Sequence, residues 1–170
     1  MTRLILTALF VSRMAVVPED PSLAQVRVLY TQSASDEQSC LQLIELLKPY
    51  SDKNNPLLAG YAAGATMMMA KHCFFPYSKL SYFRKGRSML QKAVDTDSAN
   101  VELRFLRFGL QTNSPGFLGY HDQITTDKKY LLASLGRLSD MDLKRAILLY
   151  LKNSDYVTNQ EKQKLELQRI

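Results

Sequence analysis

Apolar residues recur every three or four positions along most of this chain, the period of an α-helix that buries one face. Leu23, Val26, Leu29 and Tyr30 form the first such stripe, and Cys40, Leu43, Ile44 and Leu47 the second. Between them, Ser35-Asp-Glu-Gln38 has capping-box spacing: serine and glutamine can satisfy each other's backbone N–H groups and open a helix. Pro49 ends that helix, and a turn over 52–56 places Pro56 at the next helix start. Residues 57–72 (LLAGYAAGATMMMAKH) predict a strongly apolar helix. Gly60, Ala63 and Gly64 would let a neighbour approach closely, either the helix before it or the one after. Met67, Met68 and Met69 suit core filling or a soft binding surface.

The period breaks over 73–80 (CFFPYSKL), with Pro76 as the breaker. It resumes over 81–95, 101–112, 127–138 and 139–152, and Thr158-Asn-Gln-Glu161 is a second capping box opening a polar last helix. The pattern therefore predicts an all-α chain of stacked antiparallel helical hairpins, with one domain over 22–170 after a Pro18-Glu-Asp-Pro21 linker. Its expected core is Ile44, Leu47, Tyr61, Leu90, Ala93, Leu106, Leu131, Leu135, Ile147 and Leu151. With the 40s and 60s helices paired about a turn near Lys53, Cys40 falls opposite residue 66. Cys73 then lies roughly 10 Å further along, too far for a disulfide. No apolar run reaches the roughly 18 residues a spanning helix needs.

Residues 1–21 stand apart. A basic start at Arg3 precedes the apolar stretch 4–11 (LILTALFV), which resembles a minimal secretory signal interrupted by Arg13. The expected address is exported, in the periplasm or cell envelope; a frayed segment with a start at Met14, and a cytoplasmic protein, is the alternative.

Charge changes the picture more than composition does. The net charge is +6 and 46% of residues are apolar, an ordinary globular balance. Yet residues 53–94 contain no Asp or Glu, while holding Lys53, Lys71, Lys79, Arg84, Lys85, Arg87 and Lys92. Phe74, Phe75, Tyr77, Tyr82 and Phe83 interleave with them. A basic, aromatic hairpin suits an acidic peptide, a nucleic acid or an anionic membrane surface. The aromatics either cap the open end of the stack or grip a ligand. A second stripe, Arg104, Arg107 and Gln111, presents two arginines one turn apart, able to fork onto a carboxylate or phosphate, or else an exposed helix face that pairs with Glu102 or a neighbouring helix. The candidate binding surface is thus Lys71, Lys79, Tyr82, Arg84, Lys85, Arg87, Arg104, Arg107 and Gln111.

No catalytic or cofactor pattern emerges. The chain lacks a phosphate-binding glycine loop, HExxH and CxxC, and its two histidines, His72 and His121, are far apart. Cys73 and His72 are adjacent and do not face each other on a helix. The expectation is no enzyme, no metal and no cofactor.

Gly86, Leu90, Ala93 and Ser98 stand at the spacing of the second helix of a tetratricopeptide repeat (A-x3-F-x2-A, then P), and Ala63-Gly64…Met67 falls where L-G-x2-Y belongs in the first. From 57 to 98 the unit is 42 residues, eight more than the usual repeat of about 34, and the surplus matches CFFPYSKL. This is similar to one degenerate repeat with an insertion. The blocks ATMMMAKH…SKLSYF, NVELRFLRF and FLGY resemble a family of uncharacterised exported bacterial proteins of tetratricopeptide-like type, over residues 22–157. The resemblance implies a helical fold and an envelope location, and brings no activity or site residue with it. The expected function is a non-catalytic interaction or scaffold module for a protein or peptide partner, acidic if the basic hairpin reads it. The alternative is a nucleic-acid or anionic-ligand binder using that hairpin, with nucleic acid disfavoured by export.

Overall fold

The structure, a computed structural model, describes residues 20–50 and 55–166. The signal-like stretch and the linker's first residues lie outside them. Among the described residues the chain forms eight α-helices and no strand: α1 (Leu23–Ser33), α2 (Glu37–Leu47), α3 (Pro56–His72), α4 (Pro76–Thr96), α5 (Val101–Thr112), α6 (Ile124–Ser134), α7 (Met141–Asn153) and α8 (Asn159–Glu166). No helix among them is long and apolar enough to cross a membrane.

Most helix starts have a readable cause. Ser22, Asn55, Asn100 and Asp140 cap α1, α3, α5 and α7 with their side chains. The capping box at α8 forms as predicted, with Glu161 accepting from the Thr158 N–H at 2.8 Å and Thr158 Oγ1 accepting from the Glu161 N–H at 3.3 Å. At α2 the expected box gives way to Asp36, whose ionised carboxylate accepts the Ser39 N–H at 2.7 Å. Ser35 turns back to the Gln32 carbonyl instead.

The expected insertion is not a loop. Pro76 does not break a helix but starts one, at the position where its missing N–H costs nothing. Only 73–75 separate α3 from α4, and the surplus residues lengthen the hairpin.

The α3–α4 pairing is close because Gly86 has no side chain. A Cβ there would lie 2.4 Å from Met67 Cγ and 2.6 Å from the Ala63 carbonyl oxygen. The glycines of α3 serve other neighbours than the predicted ones: Gly60 accommodates Leu103 of α5, and Gly64 accommodates Tyr30 of α1. So α3 is the hub. It packs against α1, α2, α4 and α5, which is why so much of its circumference is buried.

The odd-numbered helices share one layer. Tyr30 meets Tyr61 edge-on, Gly60 meets Leu103, and Tyr150 reaches Thr112, so the register rises together along α1, α3, α5 and α7. These four run side by side in one direction, with α2, α4 and α6 behind them. One core cluster fills α1–α5 and a second joins α5 to α6, α7 and α8, with Leu106 on one side of α5 and Phe108 on the other. The expected core residues are buried, except Ile44, which is half-buried against the first cluster.

Two outcomes check this packing. Gly86→Ala should destabilise by about 3 kcal/mol or more, because the methyl meets backbone that cannot repack. Gly136→Ala, where a Cβ meets nothing within 4 Å, should change the urea midpoint little by comparison. Cys40 is fully buried beside the Ala65 carbonyl, 3.2 Å from its Sγ, and burial pushes its thiol up to about 11. Both cysteines are free, and Cys73 is partly exposed at the end of α3. Alkylation of the native protein should therefore label Cys73 quickly and Cys40 only on unfolding.

Candidate functional site

The parallel inner helices leave a groove of about 1320 Å³ between them. Met68 of α3, Leu80 of α4, Phe105 and Leu110 of α5, and Ala146 and Leu149 of α7 give it an apolar lining. Leu149 is 65% exposed although it stands on a helix whose other leucines are buried, because α7 turns that side to the groove. The volume exceeds the range of about 300–1,000 Å³ typical of small-molecule pockets.

One polar network closes the amino-terminal end of the groove. Arg27 of α1 forks onto Glu102 of α5, both N···O distances being 2.7 Å. Its Nη2 also donates to Asp140, the N-cap of α7, at 2.8 Å. Tyr61 of α3 donates its hydroxyl to the same Glu102. Four helices thus meet on one guanidinium and one carboxylate. Glu102 is 5% exposed, so its charge depends on these donors. The hydrogen bond from Arg27 to Glu102 holds the guanidinium protonated well above its ordinary range, against the opposing effect of burial. The backbone N–H of Leu143, then Arg27, hold the Asp140 carboxyl below the usual range. At the other end, the Tyr150 hydroxyl bonds Thr112 Oγ1 at 2.7 Å and accepts from Asn113 at 2.6 Å, and the Tyr150 ring packs on Phe105 and Phe108. α7 is fastened at both ends, to Arg27 of α1 at its start and to α5 through Tyr150 near its end, with the groove between.

The structure divides the nine sequence-predicted surface residues among three places. Arg104, Arg107 and Gln111 turn inward. Arg107, 3% exposed, forks onto fully buried Asp127 of α6 at 2.7 and 2.8 Å, and Arg104 adds a third contact at 3.0 Å. The two arginines do fork onto a carboxylate, but it is the chain's own, because the amphipathic face of α5 is covered by α6. Gln111 donates to Asp122 at 3.1 Å, and its Oε1 has no partner among the described residues. Lys71 and Lys79 stand on the rim of the groove. Tyr82, Arg84, Lys85 and Arg87 lie along α4 beyond it. Arg84 and Arg87 join Lys92 over a shallow cleft, where Arg87 covers the Tyr120 ring at 4.8 Å. Burial pushes the Tyr120 phenol up to about 12.

Sequence reading missed Arg27, Tyr61, Glu102 and Asp140 as a set. The available signal was Glu102 itself, an acid on an apolar helix face, which sequence alone pairs with a nearby arginine. Among the described residues no group of three His, Cys, Asp or Glu side chains is placed to hold a metal ion.

Arg27→Met should destabilise the fold by about 3 kcal/mol, since it leaves the Glu102 charge buried with Tyr61 as its remaining side-chain donor. Arg27→Met with Glu102→Gln should be more stable than the sum of the two single changes, because the stranded charge is gone. Urea unfolding of the three variants gives the coupling. No family model, curated protein or solved structure matches the chain.

Proposed function

We propose that this protein is a non-catalytic interaction module of tetratricopeptide-like type that holds an apolar or amphipathic segment of a partner protein in the groove of its inner helices. The carrying observation is the groove itself: about 1320 Å³, apolar along its length and open to solvent between helices fixed at both ends. Helix-pair stacks of this kind use their concave layer to read extended or helical peptides. Their preformed shape spares the ordering cost that a flexible binder carries.

The rim supplies direction. Lys71 and Lys79 border the groove on the α3–α4 side and have no carboxylate within ion-pair distance among the described residues. They suit acidic residues beside the partner's apolar anchors. The arginines first singled out as an anion reader, Arg104 and Arg107, take no part in this reading because Asp127 occupies them. We further propose the cell envelope as the location, on the strength of the signal-like start and the family resemblance.

Selection from a displayed library of amphipathic peptides tests the function. Enriched sequences should carry apolar residues at helical or alternating spacing. Their affinity should fall at least tenfold, about 1.4 kcal/mol, in Ala146→Glu with Leu149→Glu. Both positions are exposed, so helicity and unfolding midpoint should be unchanged. No enrichment, or equal binding by the double variant, would remove the groove from consideration.

A further inference from the structure

The basic, aromatic hairpin keeps a feature the groove does not use. The tip joining α3 to α4 exposes Phe74 at 86%, Phe75 at 67% and Tyr77 at 85%. Of the two roles open to them from sequence, capping the stack is excluded, because none of the three is buried against another helix. Phe74 and Phe75 pack edge-on against each other at 5.4 Å, presenting a joint apolar surface outward. Phe117, 88% exposed on the turn Gly116–Leu118, borders the groove with Pro76 and Lys79. That turn adds a further ring toward the same end of the molecule.

The charge around the tip is one-sided. Lys71 and His72 occupy the last turn of α3, and Lys79 the first turns of α4. The C-terminus of α3 and the N-terminus of α4 meet at the tip with dipole ends of opposite sign, so the charge there is set by the side chains. On the neighbouring α1–α2 turn, Asp36 is committed to the α2 N-terminus, and Glu37 follows it in the first turn of α2. His72 is held to the Ser33 carbonyl at 2.9 Å.

From this we propose that the α3–α4 tip binds the surface of an anionic phospholipid membrane, with Phe74, Phe75 and Tyr77 entering the interfacial layer and Lys71 and Lys79 meeting the phosphates. The shape favours a bilayer over a protein. The rings project from a convex helical turn, whereas the molecule's concave apolar surface lies elsewhere. Phe supplies apolar area, Tyr an amphipathic ring suited to headgroup depth, and flanking lysines attract anionic lipid, which is the combination that holds a peripheral protein on a membrane. This reading shares only the rim lysines Lys71 and Lys79 with the groove. Its test changes Phe74, Phe75 and Tyr77, which do not line the groove, so it stands or falls apart from the peptide reading.

Vesicle co-sedimentation of the full chain tests it. The protein should pellet with vesicles of phosphatidylcholine mixed with phosphatidylglycerol, less with phosphatidylcholine alone, and less at high salt. Phe74→Ser, Phe75→Ser and Tyr77→Ser combined should weaken binding by about tenfold or more, with helicity unchanged because the side chains are exposed. Phe75→Trp should shift its emission to the blue with mixed vesicles and not with soluble glycerophosphate, which separates a membrane from its headgroup. Absence of binding to the mixed vesicles, or equal binding by the triple variant, overturns the proposal. So does a wild-type dimer in solution that the triple variant abolishes, which would make the tip a contact between copies.

Discussion

A single guanidinium–carboxylate pair sets the geometry of the inner layer. Arg27 and Glu102 lie 75 residues apart, and each brings a further helix with it: Arg27 engages the cap of α7, and Glu102 receives the Tyr61 hydroxyl of α3. A buried charge with a missing donor is costly, and that cost has a definite direction. It penalises every arrangement in which one of the four helices shifts out of register. Apolar contacts alone would tolerate such shifts, since leucine packs against leucine in many ways. The network therefore contributes specificity as much as stability.

The hub helix α3 makes the layer possible. Its small residues allow α1 and α5 to approach from the inner side, and Gly86 of α4 answers from behind. A hub touched on several sides needs little polar surface, which explains the long apolar stretch in this helix of 17 residues. The second buried pair, Arg107 with Asp127, does for α5 and α6 what Arg27 and Glu102 do for the inner layer. Both arginines of the α5 stripe are consumed there.

Periodicity made the helices legible, because burial of one face imposes the same spacing whatever the partner. Local chemistry was readable where it is short-ranged: the α8 capping box follows from four residues, and Cys40 beside Ala65 from the reach of one hairpin. Tertiary competition was not readable. Asp36, an equally good cap one residue on, takes the Ser39 N–H and starts the helix there, and Pro76 starts a helix because the chain turns back just before it. Arg104 and Arg107 are sequence-identical to an anion reader until α6 brings Asp127 beneath them. The groove was invisible for a related reason. α1, α3, α5 and α7 each supply a few apolar residues that look like core, and only their assembly leaves those faces uncovered.

The common direction of the inner helices has an electrical consequence. Their peptide dipoles add, so the end where Arg27 sits gathers partial positive charge and the end near Tyr150 partial negative charge. The helices behind run the other way and offset part of this, so the bias is confined to the terminal turns on the inner face. An elongated occupant with an acidic and a basic terminus would have two unequal ways to lie there, separated by energy before any side chain is read. Any such preference would be a property of the backbone, inherited from the parallel run of four helices.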